Sequence, residues 1–136
     1  MLNKPIMKKN ELKILDCTLR DGGYYNNWNF SIELINKYLK VMSDIKVDYV
    51  EIGFRSQEKK EFRGACAYTT DQFLNNLKIP KTLKVAVMIN GAELIKESSL
   101  QKNISLIKSP FLHYARVGFH AFLRETGRGS DDNIMQ

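Results

Sequence analysis

An arginine and an aspartate stand side by side at Arg20-Asp21, directly after the strand-like run Ile14-Leu15-Asp16-Cys17-Thr18-Leu19 and directly before Gly22-Gly23. Further along, Glu51, Asn90 and Arg116 lie in or at the ends of similar runs, and His120 follows the last of them. Successive side chains of an extended strand point to opposite faces. In the run 49–54 this alternation sends Val50, Ile52 and Phe54 toward covering helices, and Tyr49, Glu51 and Gly53 toward the other face. The same rule puts Leu15, Cys17 and Leu19 outward and Asp16, Thr18 and Arg20 inward. In the last run Ala115, Val117 and Phe119 point outward, with Arg116, Gly118 and His120 inward. Ionisable groups therefore gather on one side.

A buried carboxylate is expensive without a partner, so Glu51 requires Arg20, Arg116 or a metal-linked network beside it. Alternation alone leaves two readings open: an ion pair that only fixes strand register, or a site that does chemistry. Arg20-Asp21 likewise reads as a solvated pair in a strand-to-helix turn or as a functional pair, and the flanking strand with Thr18-Leu19 favours the second. Gly22-Gly23 permits a tight turn with positive backbone angles. Tyr24, Tyr25 and Trp28 either line a pocket or pack locally.

These residues must be positioned by repeated units. Four β-branched-rich runs, 13–17, 49–54, 84–89 and 114–119, begin roughly every 30 to 35 residues, as repeated strand-helix units do. Ser31 can cap a helix whose Ile32, Ile35, Tyr38, Leu39, Met42 and Ile45 share one face. Thr69-Thr70-Asp71 offers caps ahead of Phe73, Leu74 and Leu77, with Pro80 as a stop. Residues 92–97 are compatible with helix, whereas 98–109 are ambiguous and end at Pro110. Strands separated by helices pair in parallel, so the class is α/β. The polar inner parity favours a partial (β/α)8 TIM barrel, about its first four βα units, over a doubly wound open sheet. Residues 1–123 form this half barrel and 124–136 read as a polar, disordered tail.

The composition, 43% hydrophobic and 26% charged, fits one globular domain. No apolar run approaches the roughly 20 residues that cross a bilayer, and the lysine-rich start has no apolar core. Two cysteines, Cys17 in a strand-like run and Cys66 in a polar loop, are too few for a disulfide framework, so a reducing cytoplasm is expected. The net charge of +6 is spread along the chain and interleaved with acidic residues, with no recognition motif, which argues against nucleic acid as a partner.

The run Leu15-Asp16-Cys17-Thr18-Leu19-Arg20-Asp21-Gly22-Gly23 resembles the DRE-TIM metallolyases, which include HMG-CoA lyase, isopropylmalate and homocitrate synthases, and 4-hydroxy-2-oxovalerate aldolase. Tyr24-Tyr25-Asn26-Asn27-Trp28-Asn29-Phe30-Ser31 is most similar to the aldolase branch, and Tyr49-Val50-Glu51-Ile52-Gly53-Phe54 and Lys84-Val85-Ala86-Val87-Met88-Ile89-Asn90 agree with it. The resemblance spans roughly residues 11–120. It implies carbon–carbon bond chemistry on a 2-oxo acid through a pyruvate enolate; that no membrane is a partner follows separately from the lack of a long apolar run. It implies Asp21 as a ligand to Mg²⁺ or Mn²⁺, with Zn²⁺ as a further option. Arg20 would be catalytic, stabilising the enolate oxygen, with Glu51 in its network. Asn90, Arg116 and His120 are substrate-pocket candidates.

Two alternatives stay open. The same Arg-Asp start serves acyl-CoA condensation onto a 2-oxo acid, and an open half sheet suits a non-catalytic interaction module or a homo-oligomer. The family's His-x-His metal pair is missing, since His113 and His120 lie seven apart. A full barrel takes about 250 residues, so a fragment, a frameshift product or a self-assembling half barrel is expected, with activity incomplete in this chain.

Overall fold

The four β-branched runs become the strands β1 (Leu15–Asp16), β2 (Tyr49–Phe54), β3 (Lys84–Asn90) and β4 (Tyr114–Gly118). The computed structural model describes residues 12–59, 61–96 and 100–118. The expectations for Phe119, His120 and the tail 124–136 lie outside the described residues. Between the strands run α1 (Thr18–Asn26), α2 (Ile32–Asp44), a 3-10 turn (Ala65–Ala67), α3 (Asp71–Asn75), α4 (Gly91–Lys96) and α5 (Leu100–Ile107). The ambiguous stretch 98–109 thus holds α5, which ends before Pro110.

All neighbouring strands are parallel and ordered β1-β2-β3-β4. A doubly wound sheet reverses its strand order at a switch point. The order here has no reversal, so the four units progress one way round, as in an arc of a TIM barrel. Val50, Ile52 and Val85 pack with Ile35 and Leu39 of α2 and with Leu74 and Leu77 in one core. The helices therefore cover one face of the sheet and leave the other for polar groups. Among the described residues no helix is long and apolar enough to cross a membrane.

The helix caps form as the sequence requires. Ser31 Oγ accepts from Leu34 N–H at 3.1 Å, and Thr70 Oγ1 accepts from Phe73 N–H at 3.1 Å. Ile35 and Leu39 are fully buried, while Ile32 and Ile45 are 47% and 63% exposed. Those two sit at the first position and at the cap of α2, beyond the reach of the sheet. Its apolar face is correspondingly narrower than its periodicity suggests.

Three expectations are corrected. First, Gly22-Gly23 is not a left-handed turn, because both residues lie inside α1. The positive angles fall later, at Asn27 (φ 56°) and Trp28 (φ 57°). Gly23 is needed for space instead: a Cβ there would stand 1.9 Å from Trp28 Cδ1. Second, the alternation in the first run has the opposite sense. Asp16 pairs in register with Val50, which faces the helices, and Asp16 Oδ1 accepts from Tyr38 Oη on α2. Cys17 consequently falls on the inner side, and extended geometry ends there because α1 starts at Thr18. Third, β2 carries an irregularity between Glu51 and Gly53. The extra residue exchanges the faces that follow, as a β-bulge does. Gly53 then lies against the 3-10 turn, where a Cβ would be 1.8 Å from the Cys66 carbonyl oxygen. Phe54 pairs with Met88 and meets Trp28 and Tyr24. Cys66, read as part of a polar loop, lies in the 3-10 turn and is fully buried, and burial pushes its thiol up to about 12.

Candidate active site

Glu51 is the centre of the inner face. It has no solvent exposure, and its carboxylate accepts from Arg20 Nε at 2.9 Å, Arg116 Nε at 2.9 Å and Arg116 Nη2 at 2.8 Å. Burial alone pushes this carboxyl up. The hydrogen bonds from Arg116, Arg20 and Cys17, with the charge of Arg116, outweigh burial and leave the group below its ordinary range. Glu51 is therefore an anion clamped by two guanidiniums, as its inner position demanded.

The two arginines reach it from different units. Arg116 comes from the middle of β4, opposite Met88 of β3. Arg20 comes from the first turn of α1, at the carboxyl end of β1. Arg20 was expected to point inward as a continuing strand residue; it does so as a helix residue. The Trp28 indole N–H donates to the Arg20 carbonyl at 2.9 Å, and the ring packs against Gly23, so the left-handed exit of α1 pins the turn that carries Arg20. Cys17 is the member that strand alternation missed: Arg116 Nη2 lies 3.5 Å from its Sγ. Burial, together with Glu51, raises that thiol. Correct register of the first strand against the second would have placed it.

Asp21 lies beside this cluster, paired with Arg20 Nη1 and 61% exposed at its side chain. An exposed carboxylate next to a half-buried cation can present an oxygen to a metal. One oxygen ligand does not make a divalent site, which gathers several. Among the described residues no group of three or more His, Cys, Asp or Glu side chains could hold a metal ion. The described residues thus fit one ligand of a metal centre and not the whole of it.

Asn90 ends β3, but its side-chain oxygen accepts from Ala92 N–H at 3.0 Å and starts α4 rather than joining the arginine cluster. Tyr24 and Tyr25 are 64% and 96% exposed, while Trp28 is buried under Tyr24 and Phe54. His113 lies before β4 and accepts from Val85 N–H through Nδ1 at 3.2 Å. Arg55, which sequence reasoning passed over, is almost buried at 9% exposure and bonds Asp71 and the Thr69 carbonyl, an anchor for the loop after β2.

No family model matches the chain. It is 27% identical over 95 residues to the (R)-citramalate synthase of Sulfolobus acidocaldarius, across 70% of this chain and 16% of that enzyme. Among solved structures it is similar to the N-terminal domain of a candidate aldolase from Bacteroides vulgatus, at 34% identity and a TM-score of 0.64, covering 85% of this chain and 38% of that one. The chain therefore spans well under half the length of either relative.

Proposed function

We propose that this chain, DRE-TIM-like and similar to the N-terminal portion of such a barrel, carries the enolate-stabilising part of a metal-dependent aldolase or lyase acting on a 2-oxo acid. The observation that supports this reading most is the Arg20–Glu51–Arg116 cluster, built round the fully buried Glu51, beside Asp21 at the carboxyl end of β1. In (β/α)8 barrels that end carries the chemistry.

Cleaving or forming a carbon–carbon bond next to a carbonyl develops negative charge on the carbonyl oxygen. Arg20 is suited to meet it. Glu51 holds Arg20 through Nε, so the planar fork is oriented before substrate arrives and keeps its terminal nitrogens off that carboxylate. Arg116 completes the neutralisation of Glu51 and stops it from repelling an anionic substrate. Enzymes of this family generally depend on a divalent metal, which when bound supplies Lewis-acid polarisation. Asp21 would be one of its ligands in this chain, and among the described residues no group of three or more His, Cys, Asp or Glu side chains could hold the ion alone. The substrate in this proposal is a small molecule with pyruvate as the shared unit.

The test is exchange of pyruvate methyl protons in D₂O, followed by NMR with Mg²⁺ or Mn²⁺. With one metal ligand among the described residues, weak exchange above buffer is expected; it should fall about 10²- to 10³-fold in Arg20→Ala, the loss typical of one oxyanion donor, and oxalate should bind Arg20→Ala less well. Background exchange in the unaltered chain, with oxalate bound equally by Arg20→Ala, refutes the proposal. The similarity to a citramalate synthase supports a second reading, acyl-CoA condensation onto the 2-oxo acid. Acetyl-CoA-dependent thiol release with pyruvate would favour that reading; pyruvate release from a 4-hydroxy-2-oxo acid would favour the aldolase.

A further inference from the structure

Beyond the arginine cluster, the loop that follows β2 is held by three different parts of the fold. Arg55 N–H donates to the Met88 carbonyl of β3 at 2.9 Å, and Ser56 N–H donates to the Ala67 carbonyl of the 3-10 turn at 3.2 Å. Glu93, in the first turn of α4, then takes both of the next donors: Ser56 Oγ on Oε1 at 2.5 Å and Gln57 N–H on Oε2 at 2.7 Å. A bidentate carboxylate from the neighbouring unit thus fixes the backbone from which the Gln57 side chain leaves.

That side chain is anomalous. Its Nε2 is sealed from solvent and meets no acceptor among the described residues, and no other sealed side-chain nitrogen or oxygen among them is in this position. Buried amides are nearly always paired, because an unpaired donor loses its water without recovering a bond. Leucine, of similar size, would fill the space without that loss. A donor that the fold does not use, carried on a backbone held by Glu93 in the loop at the carboxyl end of a barrel strand, is the pattern of a group kept for a ligand. Arg20 is assigned to the carbonyl oxygen and Arg116 to Glu51, so the carboxylate of a 2-oxo acid calls for other donors.

We infer that Gln57 is a substrate-recognition residue whose side-chain amide donates to a carboxylate oxygen of the 2-oxo acid, with Glu93 as the positioning residue that holds its backbone. The inference rests on the reading under Proposed function. Pyruvate, titrated with Mg²⁺ into the ¹⁵N-labelled full chain, tests it by NMR; the Gln57 side-chain amide is identified by its loss in Gln57→Leu. The Gln57 amide and Arg20 Nε–H signals should shift together and saturably. Gln57→Leu should weaken pyruvate binding about tenfold or more, with a melting temperature unchanged or raised. Gln57→Glu, which keeps the shape but adds a negative charge, should weaken it further. An unmoved Gln57 signal overturns the assignment, as does a Gln57→Leu chain that unfolds more easily yet binds pyruvate normally. If Arg20 alone shifts, only Gln57 is misassigned; if neither shifts, the 2-oxo acid reading falls with it.

Discussion

Replacing Glu51 with alanine removes the acceptor of three guanidinium hydrogen bonds from a fully buried position and leaves Arg20 and Arg116 facing each other. Deleting one partner of a buried pair costs about 3–5 kcal/mol, chiefly because a charge is left unpaired. The arginine side chains are 14% and 35% exposed, so water can take over part of what Glu51 supplied. The expected loss is therefore near the lower end, about 3 kcal/mol, which for a chain of this size lowers the melting temperature by roughly 10 °C. Glu51→Gln keeps the volume and one acceptor but loses the charge, and should fall between. Urea denaturation followed by circular dichroism measures both. A cycle with Arg116→Ala isolates the pair, for which contacting residues give about 0.5–3 kcal/mol of coupling. A loss in Glu51→Ala below about 1 kcal/mol, or coupling indistinguishable from zero, would refute the claim that this carboxylate neutralises the inner face.

Acid should destabilise the chain through the same group. The folded carboxyls of Glu51 and Asp16 lie below their ordinary values of 4.5 and 3.8: burial raises each, but hydrogen bonds, from the arginines to Glu51 and from Tyr38 and Thr18 to Asp16, outweigh it. Their contribution is fully present above those ordinary values and is lost as pH falls through the lower folded ones. Stability measured from pH 6 downward should drop through that window, and Glu51→Gln should flatten the slope. Gly53→Ala should cost roughly 1–3 kcal/mol or more by urea titration, because its Cβ would lie 1.8 Å from a backbone oxygen that cannot swing away. Cys66, with its thiol near 12, should resist an aromatic disulfide reagent at pH 8 and react only after unfolding.

Much of the architecture is legible in local chemistry. Hydroxyl side chains at Ser31 and Thr70, and apolar spacing through Ile35 and Leu39, depend on neighbours within a turn or two, so the chain alone determines them. The same holds for β2 and β4 up to the irregularity, which is why the convergence of Glu51 and Arg116 follows from alternation. Alternation fails where a contact distant in sequence sets the geometry. The first strand is only two residues long, and its facing is set by register with β2 and by Tyr38. That decides the inner position of Cys17 and the outward one of Asp16. Gly53 and Phe54 exchange faces because an extra residue in β2 must be absorbed against the 3-10 turn; within residues 49–54 Gly53 hints at it, as a glycine inside a strand does, but the shift itself is set by pairing with β3. The Glu93 clamp on Ser56 and Gln57 spans 36 to 37 residues. The residue types that meet at the inner face were written in order along the chain, but which atoms face each other follows from strand register, a long-range quantity that one-dimensional spacing does not contain.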